Sequence, residues 1–202
     1  MPTTTTALFQ EVGLRITGSV PWGTPEPSKA CGVYVVSLSS DPSRHANLHA
    51  QAPIDPRSVQ QWISRVPTIQ LDKANATAPA IINRLKQFWL DDESILYIGK
   101  ATPLQSRIRA YYGTPLGDRG PHAGGHWLKT LSMLNETFVH FAEVADCESS
   151  ECELLQAFVR QVSPITRQRV GDPPLPFANL ELRVGDKPLQ RKHHGIGKCK
   201  LA

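Results

Sequence analysis

Two tyrosines, a lysine and an arginine lie close together in the segment ILYIGKATPLQSRIRAYYG, at Tyr97, Lys100, Arg107 and Tyr111. The segment reads as a short apolar strand, a tight turn and then a helix. Ammonium, guanidinium and phenol groups are donors that hold a phosphate through charge-assisted hydrogen bonds. Two explanations fit this grouping: packing and solubility on one side, and a phosphate-binding pocket on the other.

Helical spacing predicts which side chains of this segment face the core. One face is apolar or aromatic and carries Leu104, Ile108, Tyr111 and Tyr112. Arg107 falls on the margin of that face, whereas Arg109 points nearly opposite, towards solvent. An arginine at the rim of a core needs an anion or a carbonyl as its partner. A structural salt bridge and a bound phosphate both satisfy that need for Arg107.

A second helix, predicted over SECELLQAFVRQV (150–162), places one carboxylate on its buried side. Extending its apolar stripe one turn towards the N-terminus reaches Glu151, while Glu153 lies on the opposite face. Glu153 also completes a capping box with Ser150, which gives it a structural role. A carboxylate facing a sheet is costly unless it is paired or binds a metal. Glu151 is therefore the better candidate for a metal ligand.

The remaining pattern predicts three strands and an insertion. Strands are expected at GVYVVSL (32–38), which carries Tyr34, at ILYIG, and at TFVHFAEV (137–144). Two amphipathic helices are expected between the first two strands, the first ending before Pro67. HWLKTLSML predicts a short helix, and Thr102 is expected to cap the helix that carries Arg107.

Composition indicates an ordinary globular domain with a basic end. The chain has 202 residues, 40% hydrophobic and 20% charged, with a net charge of +4. The segment 183–202 is rich in lysine and arginine, including Arg191 and Lys192, and could pair with phosphates or be a solvated tail. There is no signal-peptide pattern, no run long enough to span a bilayer, and no C-x-x-C pair. We therefore expect a cytoplasmic protein that does not enter membranes.

With these residues in place, the chain resembles the GIY-YIG nuclease superfamily. GVY (32–34), YIG (97–99) and GKATPLQSRIRAYY follow the superfamily's order, and the run from Tyr97 is most similar to the nuclease module of UvrC-type repair proteins. The helix glutamate matches Glu151, and a late asparagine after a proline-containing loop matches Asn179. The chain departs from the pattern in its long insertion and in lacking the additional UvrC domains.

The resemblance implies an α/β (α+β) fold, with a small antiparallel three-stranded sheet flanked by helices. It divides the chain into a lead-in (1–30), a nuclease-like domain (31–182) with a helical insertion at about 39–92, and the basic tail (183–202). It also implies one divalent cation, Mg²⁺ or Mn²⁺, held by Glu151. The implied catalytic residues are Tyr34, Tyr97, Lys100, Arg107, Tyr111, Glu151 and Asn179.

The function expected from this resemblance is metal-dependent endonucleolytic hydrolysis of phosphodiester bonds, in DNA more than in RNA. Tyr34 or Tyr97 would activate or orient the water, Arg107 would hold the scissile phosphate, and Tyr111 would bind the phosphate or pack. Arg109, Arg191 and Lys192 are expected to contact nucleic acid. The alternatives are a catalytically inactive nucleic-acid-binding module of the same fold and a basic scaffold that binds another protein through the insertion.

Overall fold

The computed structural model describes residues 3–25, 28–118, 125–184, 187–190 and 194–198. The α-helices are α1 (Thr5–Glu11), α2 (Pro56–Arg65), α3 (Ala78–Gln87), α4 (Leu104–Gly113), α5 (Cys147–Gln161) and α6 (Pro164–Val170). The strands are β1 (Gly18–Pro21), β2 (Gly32–Ser37), β3 (Ile69–Leu71), β4 (Ala74–Asn75), β5 (Ile95–Ala101), β6 (Phe138–Glu143), β7 (Glu181–Val184), β8 (Lys187–Gln190) and β9 (Ile196–Lys198). Two 3₁₀ helices span His126–Thr130 and Leu134–Glu136.

The main sheet is antiparallel and has the order β1–β6–β2–β5. It contains the three predicted strands and a fourth, β1, which lies at one edge of the sheet and comes from the segment expected to be an irregular lead-in or one edge element. The predicted three-stranded sheet is therefore too small by one strand, although the mixed architecture of helices and antiparallel strands is confirmed. The strand β1 has only four residues and ends at Pro21, so it lacks the run of β-branched residues by which β2 was predicted.

Strand β2 is buried along its whole length because helices cover both faces of the sheet. Its alternate residues enter two different core layers. Tyr34 and Val36 pack with residues of α2, α3 and α4 on one face. Val33 and Val35 pack with residues of α1, α5 and α6 on the other face. The face that a residue of this strand occupies therefore determines which helices it can contact.

The expected helical insertion lies between β2 and β5. It contains α2 and α3 together with the short hairpin β3–β4. The strand β9, from the C-terminal part of the chain, pairs with β3 in register Gln70 opposite Gly197. The insertion and the C-terminal strand β9 therefore form a second, three-stranded sheet with the order β4–β3–β9, whereas β7 and β8 pair with each other in a separate sheet.

Two predicted helix starts are wrong. Helix α5 begins at Cys147, where Asp146 caps it by accepting a hydrogen bond from the backbone N–H of Ser149 (3.0 Å). Ser150 therefore lies inside the helix and forms no capping box, and Glu153 instead accepts a hydrogen bond from the Ser149 hydroxyl (3.0 Å). Helix α4 begins at Leu104, and no side chain caps it, so Thr102 does not have its predicted role.

The structure also bears on several smaller predictions. HWLKTLSML forms one 3₁₀ helix, a turn and the first residue of a second 3₁₀ helix, rather than one helix. The predicted nucleic-acid contacts Arg191 and Lys192 lie outside the described residues. Among the described residues, no helix is both long and apolar enough to cross a lipid bilayer.

Glu93 is a buried carboxyl group in the turn between α3 and β5. Its side chain is 2% exposed, and Oε2 has no hydrogen-bond partner among the described residues. Burial, and then the charge of Asp92, raise the pKa of Glu93 to about 8. The folded protein therefore favours the protonated form at neutral pH, whereas the unfolded chain ionises this group near pH 4.5.

We expect Glu93→Gln to stabilise the protein at alkaline pH and to have little effect near pH 4.5. Because the folded-state pKa is raised, the unmodified protein loses stability as the pH rises from about 4.5 to about 8, and glutamine has no proton to lose. The melting temperature should increase by roughly 2–4 °C for each kcal/mol recovered. Thermal unfolding across the pH range measures this, with the exposed Glu136→Gln as control. A Glu93→Gln effect that does not change with pH would contradict the prediction.

Candidate active site

Three tyrosines from three different elements meet on one face of the main sheet. Tyr34 on β2 lies with its ring centroid 5.9 Å from that of Tyr97 on β5, and Tyr97 lies 5.5 Å from Tyr111 on α4. The register explains the first contact, because Tyr34 is paired with Gly99 and Tyr97 follows two residues away on the same face. All three side chains are buried.

The glycine of the YIG motif is required by this tyrosine pair. A Cβ atom at Gly99 would lie 2.7 Å from Cε1 of Tyr97 and 2.9 Å from Cζ of Tyr34. Any larger residue would therefore push both rings away from the strand. At Gly32, in the GVY motif, a Cβ atom would collide with the backbone carbonyl oxygen of Ala142. Both glycines thus have a steric role that is independent of any catalysis.

The hydroxyl groups of the tyrosine cluster are neutral in the folded protein. Burial raises the pKa of Tyr34 well above its ordinary value, and the neighbouring tyrosines raise it further. Burial, and then the charge of Glu151, raise the pKa of Tyr97. Tyr111 donates a hydrogen bond to the carbonyl oxygen of Gly125 (2.6 Å). The Tyr34 hydroxyl is buried beside that of Tyr97, and among the described residues it makes no hydrogen bond of good geometry.

Arg107 is a cation that acts on this cluster. It is half-buried, and its charge opposes the pKa increases of Tyr34 and Tyr97, so the guanidinium group lies within electrostatic range of both phenols. Arg109 is exposed and borders a separate, smaller hollow with Tyr112. The sequence prediction that Arg107 lies on the margin of the core and Arg109 in solvent is confirmed.

Lys100 and two glutamates form an ion-paired group at the edge of the sheet. Lys100 Nζ lies 2.5 Å from Glu148 Oε2 and 3.4 Å from Glu151 Oε2. Burial raises the pKa of the Glu151 carboxyl, and the Lys100 charge opposes that change. The Glu151 side chain is 22% exposed, against 62% for Glu148. The predicted difference between Glu151 and the exposed Glu153 is also confirmed.

Asn179 is bound to the backbone of the edge strand rather than to a ligand. Its Oδ1 accepts a hydrogen bond from the Ile98 N–H (2.9 Å), and its Nδ2 donates one to the Ile98 carbonyl oxygen (2.8 Å). The side-chain amide thus pairs with Ile98 as a neighbouring strand would. Asn179 therefore positions β5, which carries Tyr97 and Lys100, and its amide is already satisfied.

A pocket of about 990 Å³ opens beside these residues. Tyr97, Lys100, Glu151 and Asn179 line one side of it. Tyr34, Arg107 and Tyr111 stand behind Tyr97 and do not line the pocket. The predicted catalytic residues therefore form one continuous group, in which Tyr97 links the tyrosine cluster to the charged edge.

Two residues of the site were missed by the sequence analysis. Glu148 lies three residues before Glu151 on the same helix face, but the predicted helix started too late to include it. Lys129 donates to the carbonyl oxygens of Tyr111 (2.5 Å) and Tyr112 (3.3 Å) at the end of α4. Burial lowers the pKa of Lys129 to about 8. No local pattern indicates this long-range contact.

The site can hold a divalent cation only if the protein supplies few of the ion's ligands. Among the described residues, no group of three or more histidine, cysteine, aspartate or glutamate side chains is arranged to hold a metal ion. Glu151 offers one partly buried carboxylate whose present counter-ion is Lys100. Mg²⁺ commonly binds through one or two carboxylates and keeps several waters, so a single-carboxylate site suits it.

Comparisons with protein-family models, with curated proteins and with solved structures found no match to this chain. The assignment of the site to any class of enzyme therefore depends on the residues themselves.

Asn179→Asp is expected to lower the free energy of unfolding by about 1–3 kcal/mol, the usual cost of leaving a buried polar group unsatisfied. A carboxylate has no N–H to donate and would face the Ile98 carbonyl oxygen. Denaturant unfolding measures the stability, and hydrogen exchange at the Ile98 amide reports on the strand edge directly. Asn135→Asp, at an exposed position, is the control. Equal stability of the two variants would show that the amide pairing contributes nothing.

Proposed function

We propose that this protein is a divalent-metal-dependent endonuclease of the GIY-YIG type that hydrolyses phosphodiester bonds in DNA. The observation that supports this most directly is the continuous group formed by Tyr34, Tyr97, Arg107, Lys100 and Glu151. These residues come from four separate elements, and neither packing nor solubility alone requires their charged and phenolic groups to meet. The predicted cytoplasmic location remains a prediction; Cys31, Cys147 and Cys152 are free thiols, as a reducing compartment allows.

The charge of the pocket supports a requirement for a cation. Its lining contains the acidic residues Asp146, Glu148, Glu151 and Glu181 and the basic residues Lys100 and Arg183. A phosphodiester, itself an anion, is repelled from a lining with more acids than bases. A divalent cation bound at Glu151 would reverse that repulsion locally. The charges of the described lining residues therefore support the proposed metal ion, as the resemblance does.

In the proposed reaction Glu151 and Lys100 would act from the lining of the pocket, and Tyr34 and Arg107 would act from behind Tyr97. Glu151 would hold Mg²⁺ or Mn²⁺, which when bound supplies Lewis-acid stabilisation of the phosphate oxygens. Arg107 would donate hydrogen bonds to the scissile phosphate through its planar guanidinium group. Tyr34, as a neutral phenol, would orient the attacking water. Lys100 would hold the Glu151 carboxylate in position through their ion pair.

A nucleic-acid-binding module without nuclease activity is the second candidate. It is favoured by the raised pKa of Tyr34, since a phenol whose ionisation is suppressed is a poor base. It is also favoured by the Tyr111 and Asn179 side chains, whose polar groups are bound to backbone atoms. If the protein is such a binding module, Arg109, Arg191 and Lys192 would bind the sugar–phosphate backbone, and the nucleic acid would not be cleaved.

Cleavage assays separate the two candidates. Purified protein is incubated with plasmid and single-stranded DNA, with Mg²⁺, with Mn²⁺, and with a chelator. We expect Glu151→Gln to abolish metal-dependent cleavage while DNA binding, measured by fluorescence anisotropy, is retained. Glu153→Gln, at an exposed position of the same helix, is the matched control. Inactivation by Glu153→Gln with a nearly neutral Glu151→Gln would refute the assignment.

Arg107→Ala should lower kcat by roughly 100- to 1,000-fold, the range for the loss of one charge-stabilising donor. Arg109→Ala should have a much smaller effect, because its side chain is exposed and borders a separate, smaller hollow. Single-turnover cleavage of a labelled oligonucleotide measures both, after circular dichroism has verified folding. Equal losses for the two variants would contradict the role given to Arg107.

A further inference from the structure

The main pocket has a second wall that the proposed chemistry does not use. This part of the lining is apolar and comes from the insertion, the 3₁₀ helix and the C-terminal strand β9. Its members are Trp62, Ile69, Trp127 and Ile196. A volume of about 990 Å³ is far more than a water-filled crevice needs and lies at the upper end of the range for ligand-binding pockets.

One polar group on this wall lacks a partner. Trp62 is 6% exposed, and its indole Nε1 is buried without a hydrogen-bond partner among the described residues. Buried indole N–H groups are usually satisfied, and leaving one unpaired is costly. Because Trp62 borders the pocket, a ligand with a hydrogen-bond acceptor would satisfy this donor.

We propose that the apolar side of the pocket receives an unpaired nucleobase, so that the substrate is single-stranded or locally unpaired DNA. This inference depends on the proposed function, which places a phosphodiester at Lys100, Arg107 and Glu151. A base next to that phosphate carries flat apolar faces and ring or carbonyl acceptors, which match the apolar wall and the Trp62 N–H.

A base in intact duplex cannot use this wall. Its faces are covered by stacking and its edge is paired, so it must leave the helix before it can enter a concave site. Burial of one base against apolar and aromatic side chains contributes binding free energy that raises affinity by roughly 5- to 150-fold. That energy is gained at once by single-stranded DNA, whereas duplex DNA must first lose pairing and stacking.

Gly197 allows the pocket to be narrowed without removing any core side chain. It lines the pocket, it is exposed, and a Cβ atom there would meet no other atom within 4 Å. Gly197→Leu therefore adds bulk where the base is expected to lie. Ala74→Leu is the matched control, because Ala74 is exposed on β4 at the opposite edge of the same three-stranded sheet and does not line the pocket.

The experiment compares three substrates of one sequence: a single strand, a fully paired duplex, and a duplex with one unpaired nucleotide. With Mg²⁺ or Mn²⁺, we expect kcat/KM for the single strand and for the duplex with one unpaired nucleotide to exceed that for the fully paired duplex by roughly tenfold or more. Gly197→Leu should remove this preference, and Ala74→Leu should keep it. Equal cleavage of all three substrates, or a preference that survives Gly197→Leu, would overturn the inference.

Measurements of DNA binding test this inference separately from the proposed function. With a chelator present, the affinity of each labelled DNA is measured by fluorescence anisotropy for the same variants. A preference for unpaired DNA that Gly197→Leu abolishes, without cleavage under any condition, would support the base pocket and refute the nuclease. Cleavage together with equal binding of paired and unpaired DNA, unchanged by Gly197→Leu, would support the nuclease and refute the base pocket.

Discussion

The outer edge of strand β5 has to satisfy its backbone groups without a neighbouring strand, and the candidate site is built around that requirement. The outward-facing groups belong to alternate residues. The Leu96 carbonyl accepts a hydrogen bond from the Ala178 N–H (2.9 Å), Ile98 is bound by the Asn179 amide, and the Lys100 N–H is bound by the Glu151 carboxylate. An unprotected edge would be open to pairing with another chain. Here the same contacts fix the position of the acidic residue.

The edge also explains how residues from opposite faces of the sheet meet. The tyrosine cluster lies on the face covered by α2, α3 and α4, whereas the apolar residues of α5 pack on the other face. Glu151 lies in the first half of α5, so its side chain can approach the tyrosines only by passing the outer edge of the sheet, at β5. Because β5 is the last strand, its edge is open to α5, and the charge of Glu151 acts on Tyr97.

Sequence patterns predicted those features of the site that are set within a single strand or helix. A run of β-branched residues placed Tyr34 on a strand, and helical spacing separated Arg107 from Arg109 and Glu151 from Glu153. The pairing of Asn179 with Ile98 joins residues far apart in the chain, so no local pattern could reveal it. Glu148 was missed because Asp146, an acidic N-cap, starts the helix one turn earlier than the apolar stripe suggests. The strands β1, β3, β4 and β9 are too short for alternation to be visible.

The ion pairs of Lys100 are compatible with the proposed binding of a cation at Glu151. Lys100 is shared between Glu148 and Glu151, and the shorter distance is to the exposed Glu148. The ammonium group would therefore keep a second carboxylate to pair with if a metal ion took its place at Glu151. Oε1 of Glu148 in turn lies 3.7 Å from Nη1 of Arg183. Arg183 is on β7, the strand that follows Asn179 in the chain. Displacement of Lys100 from Glu151 would thus leave no buried charge unpaired. In a buried ion pair with a single fixed partner, the same displacement would leave a charge without a partner.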